Sequence, residues 1–117
     1  MKATATALNL TKTYKNAINR LEKLLGNDFE TCVEAIHKSK SHIVVCGIGK
    51  SGLVGRKISA TLASTGTPSY FLHPGEAIHG DLGIVQPESI IILISFLGTF
   101  LLLKFIIPDI PHITILH

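Results

Sequence analysis

Apolar residues recur every three or four positions in the first part of the chain. They are Leu10, Tyr14, Ala17, Ile18, Leu21, Leu24 and Leu25. This spacing is typical of an amphipathic helix. We expect Gly26 to end that helix as its C-cap, because glycine tolerates the left-handed backbone of a helix terminus.

A second helix is predicted directly after Gly26, with Asn27 or Asp28 as its N-cap. Its buried stripe is predicted to be Phe29, Cys32, Val33 and Ile36. Residues 1–40 are therefore expected to form a helical segment. That segment could be a dimerisation hairpin or a cover over the core.

From residue 42 onward, short apolar runs rich in β-branched residues alternate with a helical pattern. The predicted strands are His42–Cys46, Ser69–His73, Ser89–Ser95 and His112–Leu116. Residues 53–64 are rich in small side chains and predict a helix that Gly66 closes. Strands that alternate with helices are typical of a parallel sheet with crossover connections. The predicted fold class is α/β, a parallel sheet flanked by helices.

Residues 90–107 have the sequence IIILISFLGTFLLLKFII, which is almost entirely apolar. A transmembrane helix needs about 20 such residues, and Lys104 interrupts this run near one end. Buried strands of parallel sheets are also continuous apolar runs. A strand and the start of a loop are therefore favoured, and no membrane partner is expected, with a membrane helix as the alternative.

Composition places the chain among folded domains. It has 117 residues, of which 46% are hydrophobic and 16% charged, and its net charge is +3. This length allows one domain at most, and the lysines and arginines are too scattered for a nucleic-acid interface. Cys32 and Cys46 form no CxxC pair, so we expect two buried thiols in a reducing compartment. The first residues lack the apolar core of a secretory signal, which favours the cytoplasm.

The sequence GIGKSG, residues 47–52, follows the first predicted strand directly. A loop between a strand and a helix N-terminus presents backbone N–H groups and the positive end of the helix dipole, which suit a phosphate. Gly47, Gly49 and Gly52 would allow close approach, while Lys50 adds a positive charge and Ser51 a hydroxyl donor. The alternative is a tight turn that needs glycine only for its backbone angles.

Two common phosphate loops fit this segment poorly. The P-loop pattern GxxxxGK[ST] would require glycine at position 44, where Val44 stands. The spacing matches GxGxxG, but a dinucleotide site wants an acidic residue about 20 positions later. Leu72 and His73 occupy that place, so a nicotinamide cofactor is not expected.

The longer segment GIGKSGLVGRKISATLASTGTPSYFLHPGEAIHGDLGIV resembles the front of a SIS (sugar isomerase) domain, of the KpsF/GutQ-type arabinose-5-phosphate isomerases. The GKSG loop, GRK, ASTGTP and HGDLG occur in the family's order. The resemblance implies a Rossmann-like three-layer α/β/α fold, no cofactor and a homotetramer. It also implies interconversion of D-arabinose 5-phosphate and D-ribulose 5-phosphate through an enediol, for lipopolysaccharide synthesis.

Carried over by position, the resemblance assigns catalytic roles to Lys50 and His79. The substrate-phosphate-binding residues that it implies are Gly47, Gly49, Ser51, Gly52 and Ser95. A transition metal is a weaker possibility, because imidazoles and carboxylates are its usual ligands. The candidate ligands are His73, Glu76, His79 and Asp81. No metal is expected to take part in catalysis.

The resemblance weakens after Ser95. The family continues with a second phosphate-binding Ser and then a catalytic Glu, where this chain has Leu97 and Leu102. The family pattern also extends beyond the fourth strand, so residues 1–117 are expected to be a partial SIS domain with residues 42–117 as its α/β core. Two functions stay open: an isomerase that lacks part of its catalytic set, and a non-catalytic sugar-phosphate sensor.

Overall fold

The computed structural model describes residues 2–95 and the strand at residues 113–116. The chain forms two compact units, Met1–Glu34 and Ala35–His117. The helices are α1 (Ala3–Leu24), α2 (Asn27–Lys38), α3 (Gly49–Ser64) and α4 (Pro74–Ala77), with a 3-10 turn at Asp81–Ile84. The strands are β1 (Ile43–Gly47), β2 (Ser69–Leu72), β3 (Ile90–Ile94) and β4 (Ile113–Leu116).

The first predicted helix is present, but its end differs from the prediction. Helix α1 stops at Leu24, and Leu25 takes an extended backbone with a ψ of 100°. Gly26 is not among the glycines with positive φ, so the prediction of Gly26 as a left-handed C-cap is wrong. The extended residue already ends the helix, so no left-handed glycine is needed. No residue of α1 is buried.

The second helix starts where the sequence predicts, with Asn27 as its first helical residue. The predicted buried stripe is wrong at two positions, because Phe29 and Val33 are 51% and 47% exposed. Cys32 is half-buried rather than buried. Only Ile36 packs against the core of the second unit. The apolar spacing correctly predicts a helix, but most of that face has no covering element in the described part of the chain.

The four strands form one sheet in the order β2-β1-β3-β4, and all three pairs are parallel. The predicted parallel sheet is thereby confirmed. Every residue of β1 is buried. This burial explains its continuous apolar run, because an inner parallel strand is covered on both faces and needs no polar alternation.

Side chains alternate between two apolar clusters on opposite faces of the sheet. One face holds Ile43, Val45, Ile90 and Ile92, packed against Ile36, Ile58 and Leu62 of the helices. The other face holds Val44, Cys46, Leu72, Ala77, Ile91 and Leu93, packed against Leu82, Ile84 and Val85. Helix α3 therefore covers one face, and the connection from α4 to β3 covers the other.

Two boundaries near the glycine loop differ from the sequence prediction. Helix α3 begins at Gly49 rather than at residue 53, so most of the predicted loop is its first turn. Strand β2 ends at Leu72, because His73 is the N-cap of α4. At the other end of α3 the prediction is confirmed, since Gly66 has a φ of 97°.

The apolar run at residues 90–107 is described only in its first part. Residues 90–94 form β3, as the sequence predicts, whereas Leu97, Leu102 and Lys104 lie outside the described residues. Within residues 2–95 and 113–116, no helix has the length and apolar character that crossing a membrane requires.

Candidate functional site

The turn between β1 and α3 is shaped to receive an anion. Ile48 is the N-cap of α3 and has an extended backbone with a φ of −119°. An isoleucine has no side-chain oxygen that could accept the N–H groups of the first helical turn. The backbone N–H groups of Gly49, Lys50 and Ser51 therefore depend on an outside acceptor, which the positive end of the helix dipole also attracts.

Three glycines in the turn serve two different purposes. Gly49 has a φ of 60°, which favours glycine. Gly47 and Gly52 have ordinary angles but approach each other closely, since a Cβ on Gly52 would lie 2.8 Å from the Gly47 carbonyl oxygen. A Cβ on Gly47 would lie 3.1 Å from the Gly52 nitrogen. Backbone angles alone therefore explain only one of the three glycines.

The turn lies at the point where the sheet connections diverge. Helix α3 leads from β1 to β2 on one side, and the next connection crosses β1 to reach β3 on its other side. In open parallel sheets such a switch point forms a ligand-binding crevice at the carboxyl ends of the strands. Gly47 pairs with Ile94, so Ser95 follows β3 beside the glycine turn. Ser95 is half-buried.

Two of the predicted polar residues lie in the first turn of α3. Lys50 is its second residue and is exposed, whereas Ser51 is half-buried. The exposed ammonium group can reach a ligand at the crevice without losing its hydration beforehand. The structure thus places Lys50, Ser51 and Ser95 at one edge of the sheet, as the sequence predicts from strand ends.

His79 comes to this part of the molecule from the other face of the sheet. It follows α4, which packs through Ala77 into the cluster opposite α3. The backbone N–H of His79 donates to the Glu76 carbonyl oxygen at 2.9 Å, and its side chain is exposed. Because α4 starts at the carboxyl end of β2, His79 and Lys50 belong to elements that begin at the same sheet edge.

His73 has a structural role that the sequence reasoning missed. Its Nδ1 accepts a hydrogen bond from the Gly75 backbone N–H at 3.0 Å and caps α4. An accepting Nδ1 places the proton of a neutral imidazole on Nε2. The signal was present in the order His-Pro-Gly, since Pro74 stands at a position that helices favour for proline.

The four candidate metal ligands are not brought together as a cluster. In the described part of the chain, no three His, Cys, Asp or Glu side chains converge as metal ligands would. His73 already uses one ring nitrogen as a helix cap, and Glu76, His79 and Asp81 are exposed. The arrangement gives no support to a metal centre at these residues.

Cys46 lies in β1 immediately before the glycine turn. Burial raises the pKa of its thiol to about 11, and a hydrogen bond with the Gly47 backbone opposes that rise only in part. A thiol with this pKa stays protonated near neutral pH, and only the thiolate is a good nucleophile. Cys46 is therefore a core residue, as the sequence predicts, rather than a catalytic one.

Comparison with known proteins gives the same picture of the site. Arabinose 5-phosphate isomerase KpsF of Escherichia coli O6:H1 strain CFT073 is 53% identical over 83 residues, which are 70% of this chain and 25% of that protein. Arabinose 5-phosphate isomerase GutQ of Escherichia coli K12 is 49% identical over 90 residues, 77% of this chain and 28% of that protein. The chain thus spans about a quarter of the length of these relatives.

A solved structure extends the likeness to three dimensions. An Escherichia coli CFT073 protein in complex with A5P superimposes with a TM-score of 0.77 and 31% identity, covering 98% of this chain and 65% of that one. The family model described as SIS domain matches residues 35–100. These residues include β1, the glycine turn, α3, α4 and β3. As this match covers more than half of the sequence, the chain belongs to the SIS domain family.

Proposed function

We propose that the chain binds D-arabinose 5-phosphate at the glycine turn and forms part of an aldose–ketose isomerase. The observation that carries this proposal is the close approach of Gly47 and Gly52 at the head of α3, which opens the helix N-terminus to a phosphate. The relatives named arabinose 5-phosphate isomerase support it. So does the similar structure in complex with A5P.

The proposed reaction converts an aldose into a ketose through an enediol. A base removes the proton from C2 of D-arabinose 5-phosphate while the O1 oxygen gains a proton, and the enediol then takes up a proton at C1 to give D-ribulose 5-phosphate. The same atoms are present at the start and the end, so no redox cofactor is needed. The site must bind the phosphate, stabilise the developing oxyanion and move the protons.

The described residues can supply part of this chemistry. Ser51, Ser95 and the N–H groups of the first turn of α3 would bind the phosphate. Lys50 would lie near the sugar oxygens and stabilise negative charge on them. His79 could exchange a proton during ring opening or isomerisation. Since Leu97 and Leu102 cannot transfer protons, we expect binding to be better preserved than turnover.

The decisive experiment is calorimetric titration of the 117-residue chain with D-arabinose 5-phosphate, followed by an assay for D-ribulose 5-phosphate. Binding that weakens in Lys50→Gln would support the site, and turnover that is lost in both Lys50→Gln and His79→Gln would support catalysis. Glu88→Gln, at an exposed position before β3, is the matched control. No binding by the unaltered chain would refute the proposed function.

A second candidate function is a sugar-phosphate sensor without catalysis. It is favoured by Leu97 and Leu102, which replace polar residues of the family pattern by apolar ones. A sensor would show a rise in Tm with the sugar phosphate and no product at high protein concentration. Product formation above the background of the His79→Gln variant would exclude this alternative.

We also propose that the protein assembles into homotetramers in the cytoplasm, where phosphorylated sugars are made and used. The support is the exposed apolar surface of the first unit. It comprises Leu8, Leu10, Tyr14, Ile18, Leu21, Leu24, Leu25, Phe29 and Val33. Apolar surface of this extent commonly marks a protein interface. Sedimentation equilibrium would test the assembly, and a monomer at all concentrations would overturn it.

A further inference from the structure

The buried residues of α3 are unusually small for a helix that covers a sheet. They are Gly52, Gly55 and Ser59. Small side chains allow the helix backbone to lie close to the strands, so that few atoms determine its height above them. One large side chain, the ring of Phe71 in β2, fills the space beside the two glycines.

The ring of Phe71 lies against the start of α3 at two points. A Cβ on Gly55 would be 3.0 Å from Cε2 of Phe71, and a Cβ on Gly52 would be 3.5 Å from its Cζ. On the outer side, the Arg56 guanidinium carbon stands 4.3 Å from the ring centroid. The ring is therefore enclosed between the glycines and a cation that is attracted to its face.

A second contact fixes the same helix farther along. The hydroxyls of Ser59 and Ser69 are 2.9 Å apart, joining α3 to the beginning of β2. Gly55 and Ser59 are one helical turn apart on α3, and the residues that meet them, Phe71 and Ser69, lie on one face of β2. With two fixed points the helix axis is determined, and the Phe71 end is the one next to the ligand turn.

We propose that Phe71 is a positioning residue for phosphate binding, because its ring sets the distance between the N-terminus of α3 and the end of β1. This inference rests on the proposed function. The amides of Gly49 and Lys50 and the hydroxyl of Ser51 move with the first turn of α3. A small shift of that turn changes their distances to the phosphate oxygens, and binding that depends on position is sensitive to such shifts.

The test compares two aromatic residues that are neighbours on one strand. Phe71→Leu in the full chain is expected to weaken binding of D-arabinose 5-phosphate about tenfold at a temperature at which the variant is folded. Tyr70→Leu is the matched control, because Tyr70 faces the opposite side and its ring contacts His42 with a centroid distance of 4.8 Å. It is expected to lower Tm without changing the Kd.

A compensating variant separates positioning from general loss of stability. Gly55→Ala would press its methyl group on the Phe71 ring, so Phe71→Leu should partly restore binding to Gly55→Ala. The same change should not restore Gly52→Ala, because the obstacle there is the Gly47 carbonyl oxygen at 2.8 Å. Non-additivity in the first pair and additivity in the second is the expected pattern.

Hydrogen exchange gives a readout that does not depend on the ligand. The Gly52 amide donates to the Ile48 carbonyl oxygen at 3.3 Å, and its exchange should be faster by about tenfold in Phe71→Leu but unchanged in Tyr70→Leu. Failure of the unaltered chain to bind would refute the proposed function alone. Equal Kd values and equal Gly52 exchange in the unaltered chain and Phe71→Leu would overturn the inference about Phe71.

Discussion

Strand β1 and helix α1 are both rich in apolar residues, but they differ completely in burial. Ile43, Val44 and Val45 of β1 are fully buried, whereas Ile18 and Leu24 of α1 are 64% and 76% exposed. The strand has paired strands on both edges and covered faces. The comparison teaches that an apolar pattern identifies a face suited to burial, while burial itself requires an element that covers it.

The largest expected difference between the two regions is in stability. Ile91→Ala, at a side chain 1% exposed in the sheet core, should lower the free energy of unfolding by about 2–5 kcal/mol, because it leaves a cavity. The same substitution at Ile18 should change it by less than about 0.5 kcal/mol in the monomer. Urea unfolding of both variants measures the difference.

That comparison can also show whether α1 becomes buried in an assembly. If copies of the chain associate through α1, the cost of Ile18→Ala should grow with protein concentration, since association contributes to stability by mass action. An Ile18→Ala cost as large as that of Ile91→Ala at every concentration would contradict the exposed position of α1.

Two glycines, one in each unit, give the next largest difference. Gly52→Ala should lower the free energy of unfolding by about 1–3 kcal/mol, because its methyl group would meet the Gly47 carbonyl oxygen in a packed turn. A Cβ on Gly26 would meet no atom of the described residues within 4 Å, and its φ is not positive. Gly26→Ala should therefore be neutral or stabilising by about 0.4–1 kcal/mol.

Thermal or urea unfolding of the two glycine variants checks this prediction. Calorimetric titration with D-arabinose 5-phosphate should in addition show weaker binding only for Gly52→Ala. Equal stability of the two variants would mean that the backbone approach at Gly47 and Gly52 is not required.

A smaller effect is expected from the positive charges of the two regions. Lys50→Gln should weaken binding of D-arabinose 5-phosphate about tenfold at low salt, because a hydrogen bond between charged groups is lost. The loss should shrink as salt is added, since Lys50 is exposed. Lys23→Gln, in the last turn of α1, is the control with the same charge change. Equal losses in both variants would indicate only a general attraction of the basic chain.

The smallest predicted effect concerns the buried thiol. The pKa of Cys46 is raised to about 11 from 9.0, so between these values the folded chain holds a proton that the unfolded chain has released. Stability is therefore complete below pH 9 and falls as pH rises toward 11, by about 1 kcal/mol between pH 9 and 10. Urea unfolding at about pH 8, 9 and 10 measures this slope.

The matched control is Cys46→Ala, which keeps the other titrating groups and removes the thiol. The unaltered chain should lose more stability than this variant between about pH 9 and 10. The half-buried Cys32 should react with a thiol reagent in the folded chain, whereas Cys46 should react only after unfolding. Equal pH slopes in the two proteins would refute the role of Cys46.

Sequence reasoning was most successful where local chemistry decides the structure. Four short β-branched runs predict four parallel strands, and the glycines after the first run predict the turn at the head of α3. Gly66 ends α3 as predicted, because only a residue that tolerates positive φ fits that position. The assignment of catalytic roles to Lys50 and His79 stays a prediction.

The reasoning was wrong where an outcome depends on neighbours distant in sequence. Phe29 and Val33 follow a helical spacing, yet no element in the described part of the chain buries them. Gly26 is predicted to end α1, but the extended backbone of Leu25 ends it one residue earlier. His73 is predicted as a strand residue and candidate metal ligand, and it is the cap of α4.

The sequence by itself determined the glycine turn, the buried β1 strand and the SIS resemblance, because backbone freedom and apolar runs are properties of consecutive residues. Only the tertiary structure decided the strand order that places Ser95 beside the turn. It also decided the contact of Phe71 with Gly55 and the exposure of α1. These features depend on which distant surfaces meet, and residue spacing carries no information on that choice.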